Sequence, residues 1–245
     1  MGVRPGAQEE LASPACMQHP SLQFGRTVTS GYFHFGKHRV QSLIKDEDVL
    51  KAVTTALDVG YRHIDTAYAY LNEEAVGEAL DGYLRTGKVS REDLFIVTKL
   101  AGIHMEASRV RRSIEISLRR LKLQYVDLFL IHMPVGFKYI SDDIPVPLED
   151  DNQCVILDYS TKLLDIWKEM ENLVDAGLAR SIGVSNFNSD QVERICNIAR
   201  IKPVTNQIEC HLHFPNAKLA EFCKQRDITI SAYSPLSAPG LPREM

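Results

Sequence analysis

Four residues near three predicted strand ends have side chains that could share one chemical task. Asp65 and Tyr70 lie in Gly60-Tyr61-Arg62-His63-Ile64-Asp65-Thr66-Ala67-Tyr68-Ala69-Tyr70. Lys99 closes Leu94-Phe95-Ile96-Val97-Thr98-Lys99, and His132 closes Val126-Asp127-Leu128-Phe129-Leu130-Ile131-His132. Together they offer a carboxylate, a phenol, an ammonium and an imidazole. A free phenol has a pKa of about 10 and holds its proton tightly at neutral pH. A nearby ammonium stabilises the phenolate and makes the phenol a better general acid, provided a carboxylate keeps the ammonium charged. Singly, each residue has an ordinary reading. Asp65 and Lys99 would be a structural ion pair, Tyr70 a half-buried tyrosine, and His132 a histidine capping a strand. Only their joint occurrence at successive strand ends supports a shared function.

The elements that must position these groups alternate regularly. Tyr61, His63 and Asp65 alternate with Arg62, Ile64 and Thr66, which reads as a strand running out into a loop. Before it, Asp46 is placed as an N-cap, with Val49, Leu50, Val53, Ala56 and Leu57 forming an apolar stripe that stops at Gly60. The spacing predicts further helices over 73–84, 108–121, 162–175, 190–200 and 217–225. Strands are expected at 94–99, 126–132, 181–184, 204–209 and 228–233. Repeated strand–helix alternation implies parallel strands with crossover helices. An open doubly wound sheet and a closed (β/α)8 barrel both satisfy it. No G-x-G-x-x-G follows any strand, and polar strand ends recur, which favours the barrel with its loops converging on one site. After the strand at Ala232-Tyr233 the chain runs only to Met245, so the expected fold is an incomplete α/β barrel of the TIM type, with its second to seventh strands recognisable and the eighth absent.

Residues 1–43 form an irregular lead-in broken by Pro5, Gly6, Pro14, Pro20, Gly25, Gly31 and Gly36, with Thr27-Val28-Thr29 as its best strand candidate. Residues 44–245 form the barrel unit. A long connection from Pro134 to Ser160 exceeds ordinary loop length, which marks it as functional or mobile. Its acidic residues Asp142, Asp143, Glu149, Asp150 and Asp151 read as solvated.

Composition narrows the function classes. With 44% hydrophobic and 24% charged residues, the 245-residue chain can bury a sizeable core. A formal net charge of −4 argues against a general nucleic-acid binder. The five cysteines are scattered and odd in number, with no C-x-x-C, which fits a reducing compartment better than a disulfide framework or a zinc site. No apolar run is long enough to span a membrane, no signal-peptide core opens the chain, and Gly6 stands where a myristoylation motif needs Ser or Thr. A cytoplasmic monomer acting on a small molecule is the expectation.

Six segments then carry a family resemblance. G-Y-R-H-I-D-T-A-Y-A-Y-x-N-E-E-A-V-G, V-T-K-L, L-I-H-M-P, I-G-V-S-N-F, N-Q-I-E-C-H and A-Y-S-P-L resemble the aldo-keto reductases, in order and at family-like spacing over roughly 45–236. The resemblance implies a (β/α)8 barrel that reduces aldehydes and ketones with NADPH and without metal. It puts the catalytic tetrad on Asp65, Tyr70, Lys99 and His132. It puts the nicotinamide contacts on Ser185, Asn186, Gln207 and Tyr233, beside Asp65. Ser234 and Leu236 match the start of the pyrophosphate loop. Tyr70, His132 and Phe137 would face the carbonyl substrate.

Departures from the family pattern are equally specific. Its first-strand G-x-G-T-W-like turn is missing from residues 1–45, and Met133 replaces the tryptophan that often follows the histidine. The Lys-Ser…Arg clamp for the NADPH 2′-phosphate does not occur before Met245. These departures predict a truncated product with exposed strand edges, impaired NADPH binding and low stability. Two rivals follow. One is a catalytically inactive isoform or a non-enzymatic binding or regulatory barrel. The other is a metal-dependent hydrolase using His211-Leu212-His213 with His63 and Asp65.

Overall fold

Val49, Val53, Ala56 and Leu57, spaced at the helical period, bury one side of helix α1 (Asp46–Asp58) against the rest of the chain. The chain is described by a computed structural model over residues 45–149 and 154–236. The expectations for residues 1–43, and those for Asp150 and Asp151, lie outside the described residues. Lys45, not Asp46, occupies the N-cap of α1. Asp46, Glu47 and Asp48 instead fill the first turn, where negative charge favours the positive end of the helix dipole. Gly60, at φ +99°, ends that segment in a conformation that side-chain-bearing residues rarely adopt.

Strand β1 (His63–Asp65) follows and is shorter than its sequence alternation suggested. Then come α2 (Glu73–Arg85), β2 (Phe95–Leu100), α3 (Ala107–Leu121) and β3 (Val126–Ile131). The predicted stripe of α3, Val110, Ile114, Leu118 and Leu121, is buried as a set. Fully burying each such side chain contributes about 1.5–3 kcal/mol, so the stripe is what docks the helix.

The 134–160 connection is not featureless. It carries an antiparallel ribbon of β4 (Gly136–Phe137) and β5 (Leu157–Asp158), and Leu148 bridges Val155 further out. Two-residue strands are too short to leave a period in the sequence.

The regular alternation then resumes with α4 (Leu163–Asp175), β6 (Ala179–Ser185), α5 (Ser189–Cys196), β7 (Thr205–Glu209), α6 (Ala217–Lys224) and β8 (Thr229–Tyr233). Asn188 caps α5 in a capping box with Gln191.

Six strands pair in parallel in the order β1-β2-β3-β6-β7-β8. This is the (β/α)8 type, represented by six consecutive parallel strands among the described residues. The outward faces of the strands (Ile64, Ile96, Phe129, Ile182 and Val184 among them) pack on the helices in one large core. Val97, Leu128 and Leu130 form a separate apolar layer on the inner face. The sheet curls strongly. In a flat sheet β1 and β7 would stand about 19 Å apart, four strand spacings, yet Gln207 Nε2 lies 2.7 Å from Asp65 Oδ2.

Candidate active site

The two-residue side-chain period of a strand places the site. Register pairs Asp65 with Val97, Lys99 with Leu130, Ser185 with Gln207, and Glu209 with Tyr233. Asp65, Lys99, Ser185, Gln207 and Tyr233 therefore share the inner face, each within two residues of the carboxyl end of its strand. His132 continues the inward parity of Leu128 and Leu130 one residue beyond β3. Tyr70 comes from a 3-10 turn, Tyr68–Tyr70, which Leu71 closes with a left-handed φ of 55°.

Lys99 is the centre of the cluster. Its side chain is 1% exposed, and its ammonium pairs with Asp65 Oδ1 and donates to the Thr66 carbonyl at 2.9 Å. The same ammonium stands 5.0 Å from the centre of the Tyr70 ring. Tyr70 and His132 meet edge to face, with ring centres 5.6 Å apart. All four predicted catalytic residues are thus brought together. Thr66, whose backbone oxygen helps hold the ammonium, left no signal in the sequence because carbonyls carry no residue identity.

The electrostatics differ from expectation at Tyr70. Burial pushes its phenol pKa well above the ordinary value, and the Asp65 carboxylate pushes in the same direction. The expected lowering by Lys99 is not the net result, since the lysine's charge is already paired with Asp65. Burial, helped by the Lys99 charge, holds His132 well below the usual imidazole value. His132 is therefore neutral at neutral pH and can donate through one ring N–H.

A second group adjoins the first. Asn186 Nδ2 donates to the His132 carbonyl at 2.9 Å and to Ser185 Oγ at 3.1 Å, while its Oδ1 accepts from Tyr233 Oη at 2.9 Å. Ser185 Oγ donates to the Gln207 carbonyl at 2.8 Å. Asn186 holds a left-handed φ of 64°, a conformation asparagine tolerates better than most residues. Two amide side chains, a hydroxyl and the face of a buried tyrosine thus gather at the ends of three adjacent strands. A carboxamide on an aromatic ring suits such a set, because amides offer both donor and acceptor and the tyrosine offers a stacking face. Ser234 is buried at φ 48°, whereas Leu236 is 92% exposed and stands clear of the cluster.

Phe137 is buried in an apolar cluster with Tyr68, Ala101, Ile103, Ile116 and Val146. Its ring packs so tightly on Gly102 that a Cβ there would lie 2.5 Å from it. His63 opens β1 at its amino end, whereas His211 lies past the carboxyl end of β7 and bonds Glu209 at 2.9 Å. The metal-hydrolase reading needs these histidines together, and parallel strands put them at opposite ends of the barrel.

A parallel barrel with an Asp–Lys–Tyr–His cluster at its carboxyl strand ends defines the class. The chain belongs to the aldo/keto reductase family, whose profile matches residues 27–245. It is 44% identical over 204 residues to mouse aldo-keto reductase family 1 member C13, covering 82% of this chain and 62% of that one. It is 43% identical over 206 residues to bovine prostaglandin F synthase 1, covering 83% and 62%. The solved aldose reductase of Schistosoma japonicum superposes with a TM-score of 0.75 at 44% identity, over 80% of this chain and 65% of that one. That of Giardia lamblia gives 0.76 at 37% identity, over 80% and 64%. The chain thus spans about three fifths of the length of these relatives.

Proposed function

We propose that this chain reduces an aldehyde or ketone to an alcohol, with NADPH as the hydride source and Tyr70 as the general acid. The main support is the buried meeting of Tyr70, Lys99, Asp65 and His132 at the strand ends. Ser185, Asn186, Gln207 and Tyr233 would hold the nicotinamide end, and bound there NADPH supplies hydride to the carbonyl carbon. His132 donates its N–H to the carbonyl oxygen and fixes the carbonyl's orientation. Tyr70 keeps its proton until negative charge develops on that oxygen, then transfers it. The high pKa of the buried phenol holds the proton in place beforehand. Lys99, anchored by Asp65 and the Thr66 carbonyl, stabilises the phenolate left behind. Tyr70 is 4% exposed, Lys99 0% and His132 3%, so little water screens these charges. A cytosolic setting is part of the proposal, supported by the free cysteines Cys196, Cys210 and Cys223.

Thermal unfolding of the purified chain with and without NADPH tests the reading first. Ligand at a hundredfold excess over Kd adds about 2.7 kcal/mol to the apparent stability. An upward shift, followed by NADPH-dependent aldehyde turnover that Tyr70→Phe abolishes, is the expected result. No shift and no turnover would overturn the proposal and leave the cluster a purely structural inheritance.

A further inference from the structure

Tyr68 precedes the proposed general acid by two residues in the same 3-10 turn but takes no part in the chemistry described above. It is fully buried. Its ring is packed between Arg120, whose guanidinium lies 4.4 Å from the ring centre, and His104, which meets it edge-on at 5.2 Å. Its hydroxyl donates to the backbone oxygen of Asp142 at 2.8 Å, across 74 residues of sequence. Burial pushes this phenol's pKa up to about 12, so it remains a donor at neutral pH.

Asp142 is the other half of the arrangement, and it is not the solvated loop acid that the sequence suggested. Its carboxylate accepts from Arg112 through Nε at 3.0 Å and through Nη2. It also pairs with His104 Nε2 at 3.0 Å and accepts from Tyr139 Oη at 3.2 Å. Arg109 in turn lies under the Tyr139 ring at 4.4 Å. The Arg112 partnership holds the Asp142 carboxyl at a pKa of about 2, so this carboxylate is charged over the physiological range. One residue thus ties the β3–α4 segment to α3, to the turn after β2, and to the turn that carries Tyr70. That segment starts at His132 and carries Met133 and Phe137. Phe137 packs in the same apolar cluster as Tyr68.

We propose that Asp142 and Tyr68 are positioning residues that couple the β3–α4 segment to the Tyr70 turn, so that the order of that segment sets the placement of the acid. The kinetic part rests on the reductase reading given above, whereas the coupling itself does not. Nothing in this pair touches the reacting atoms. Its effect would pass through two backbone hydrogen bonds of the turn, Tyr70 N–H to the Ala67 carbonyl at 3.0 Å and Leu71 N–H to the Tyr68 carbonyl at 3.3 Å.

The test compares wild type, Tyr68→Phe and Asp142→Asn by amide hydrogen exchange and by reduction of benzaldehyde with NADPH. Tyr68→Phe removes only the hydroxyl and keeps the ring packing, so the fold should persist. Asp142→Asn keeps the size of the side chain but weakens its charged partnerships. Exchange at Tyr70 and Leu71 is expected to rise several-fold in both variants. At Lys138, whose N–H bonds the Ile156 carbonyl at 2.9 Å, it should rise only in Asp142→Asn. Losing one buried hydrogen bond should lower kcat by about five- to tenfold with KM little changed. Unchanged exchange at Tyr70 and Leu71 in both variants overturns the coupling, whatever the turnover. A fall in stability with kcat and exchange both unmoved also overturns it, since that is what a plain structural bolt would give. A wild type without turnover counts against the reductase reading alone, and the exchange comparison still decides the coupling.

Discussion

Gln207 donates its side-chain amide to Asp65 Oδ2 at 2.7 Å, joining β7 to β1 across the barrel interior. Asp65 thereby has both carboxylate oxygens engaged, Oδ1 by Lys99 and Oδ2 by Gln207. The same glutamine is proposed to anchor the nicotinamide, so its role without cofactor is to complete the solvation of a buried charge. Hydrogen bonds to charged groups contribute about 1.5–3 kcal/mol. Gln207→Ala should therefore lower unfolding stability by roughly that amount in a urea titration and also reduce any NADPH-induced shift. Unaltered stability would mean that water replaces the amide at no cost.

In the proposed mechanism Tyr70 transfers the proton, while the buried Asp65–Lys99 pair also bears on folding. Tyr70→Phe deletes one hydroxyl and leaves the ring against His132 and Lys99, so the melting temperature should change little. Turnover should fall by about 10²–10⁴-fold, the usual range for losing a general acid. Lys99→Met instead leaves Asp65 buried without its cation. Breaking a buried ion pair from one side costs about 3–5 kcal/mol, so this variant should fail to fold stably or melt far lower. If Lys99→Met proves as stable as wild type, the pair is not a structural element.

Asp65 and Lys99 could be read in the sequence from their strand ends, whereas Ser185, Gln207 and Tyr233 came from the family resemblance. Once Asp65, Lys99, Ser185, Gln207 and Tyr233 are placed near strand ends, the two-residue period turns them to one face. The helix stripes, such as that of α3, were legible for the same reason at the other period. What escaped were relations between distant segments. That Gln207 reaches Asp65 depends on how far the sheet curls, which no local pattern records. Asp142 looked solvated because its partners Arg112 and His104 come from other segments of the chain. The β4–β5 ribbon was missed because two-residue strands show no alternation. The direction of the Tyr70 shift was misjudged because depth of burial outweighs a neighbouring cation that is already paired.

Acid should destabilise the protein before its carboxylates matter. Burial holds both His132 and His104 below the ordinary imidazole value. The unfolded chain binds these protons near pH 6.5 while the folded chain does not. Their contribution to stability is therefore complete above about pH 6.5 and is lost as pH falls toward their folded values. Each histidine contributes a slope of at most about 1.4 kcal/mol per pH unit. Glu73 works in the opposite sense, because burial raises its carboxyl above its ordinary value of 4.5. Its contribution is full below that value and is lost as pH rises through the folded pKa. Urea unfolding should show lower stability at pH 5.5 than at 7.5, with His104→Gln flattening the difference. Equal stability of the wild type at the two pH values would contradict this assignment.

Two glycines of α2 provide an internal comparison of packing against helix propensity. A Cβ at Gly77 would lie 2.2 Å from the Arg120 carbonyl oxygen and 2.9 Å from Leu121 Cα, both backbone atoms of α3. Backbone cannot step aside as a side-chain tip can, and Arg120 is further held by stacking on Tyr68 and by Glu73 Oε2 at 3.5 Å. Gly82 sits in the same helix with nothing within 4 Å of its notional Cβ. Alanine is favoured over glycine inside a helix by about 1 kcal/mol, so Gly82→Ala should stabilise the chain by up to that amount. Gly77→Ala receives the same propensity gain, but it pushes α2 and α3 apart. Overpacking of this kind costs about 1–3 kcal/mol, which leaves the net change destabilising or at best neutral. Separating the helices would also disturb Glu73, whose Oε1 accepts from Thr98 Oγ1 at 2.6 Å one residue from Lys99. Opposite shifts of the urea midpoint for the two variants are the expected outcome. Equal stabilisation by both would mean that the α2–α3 contact yields easily, and that the Tyr70 turn is not braced from behind by this helix pair.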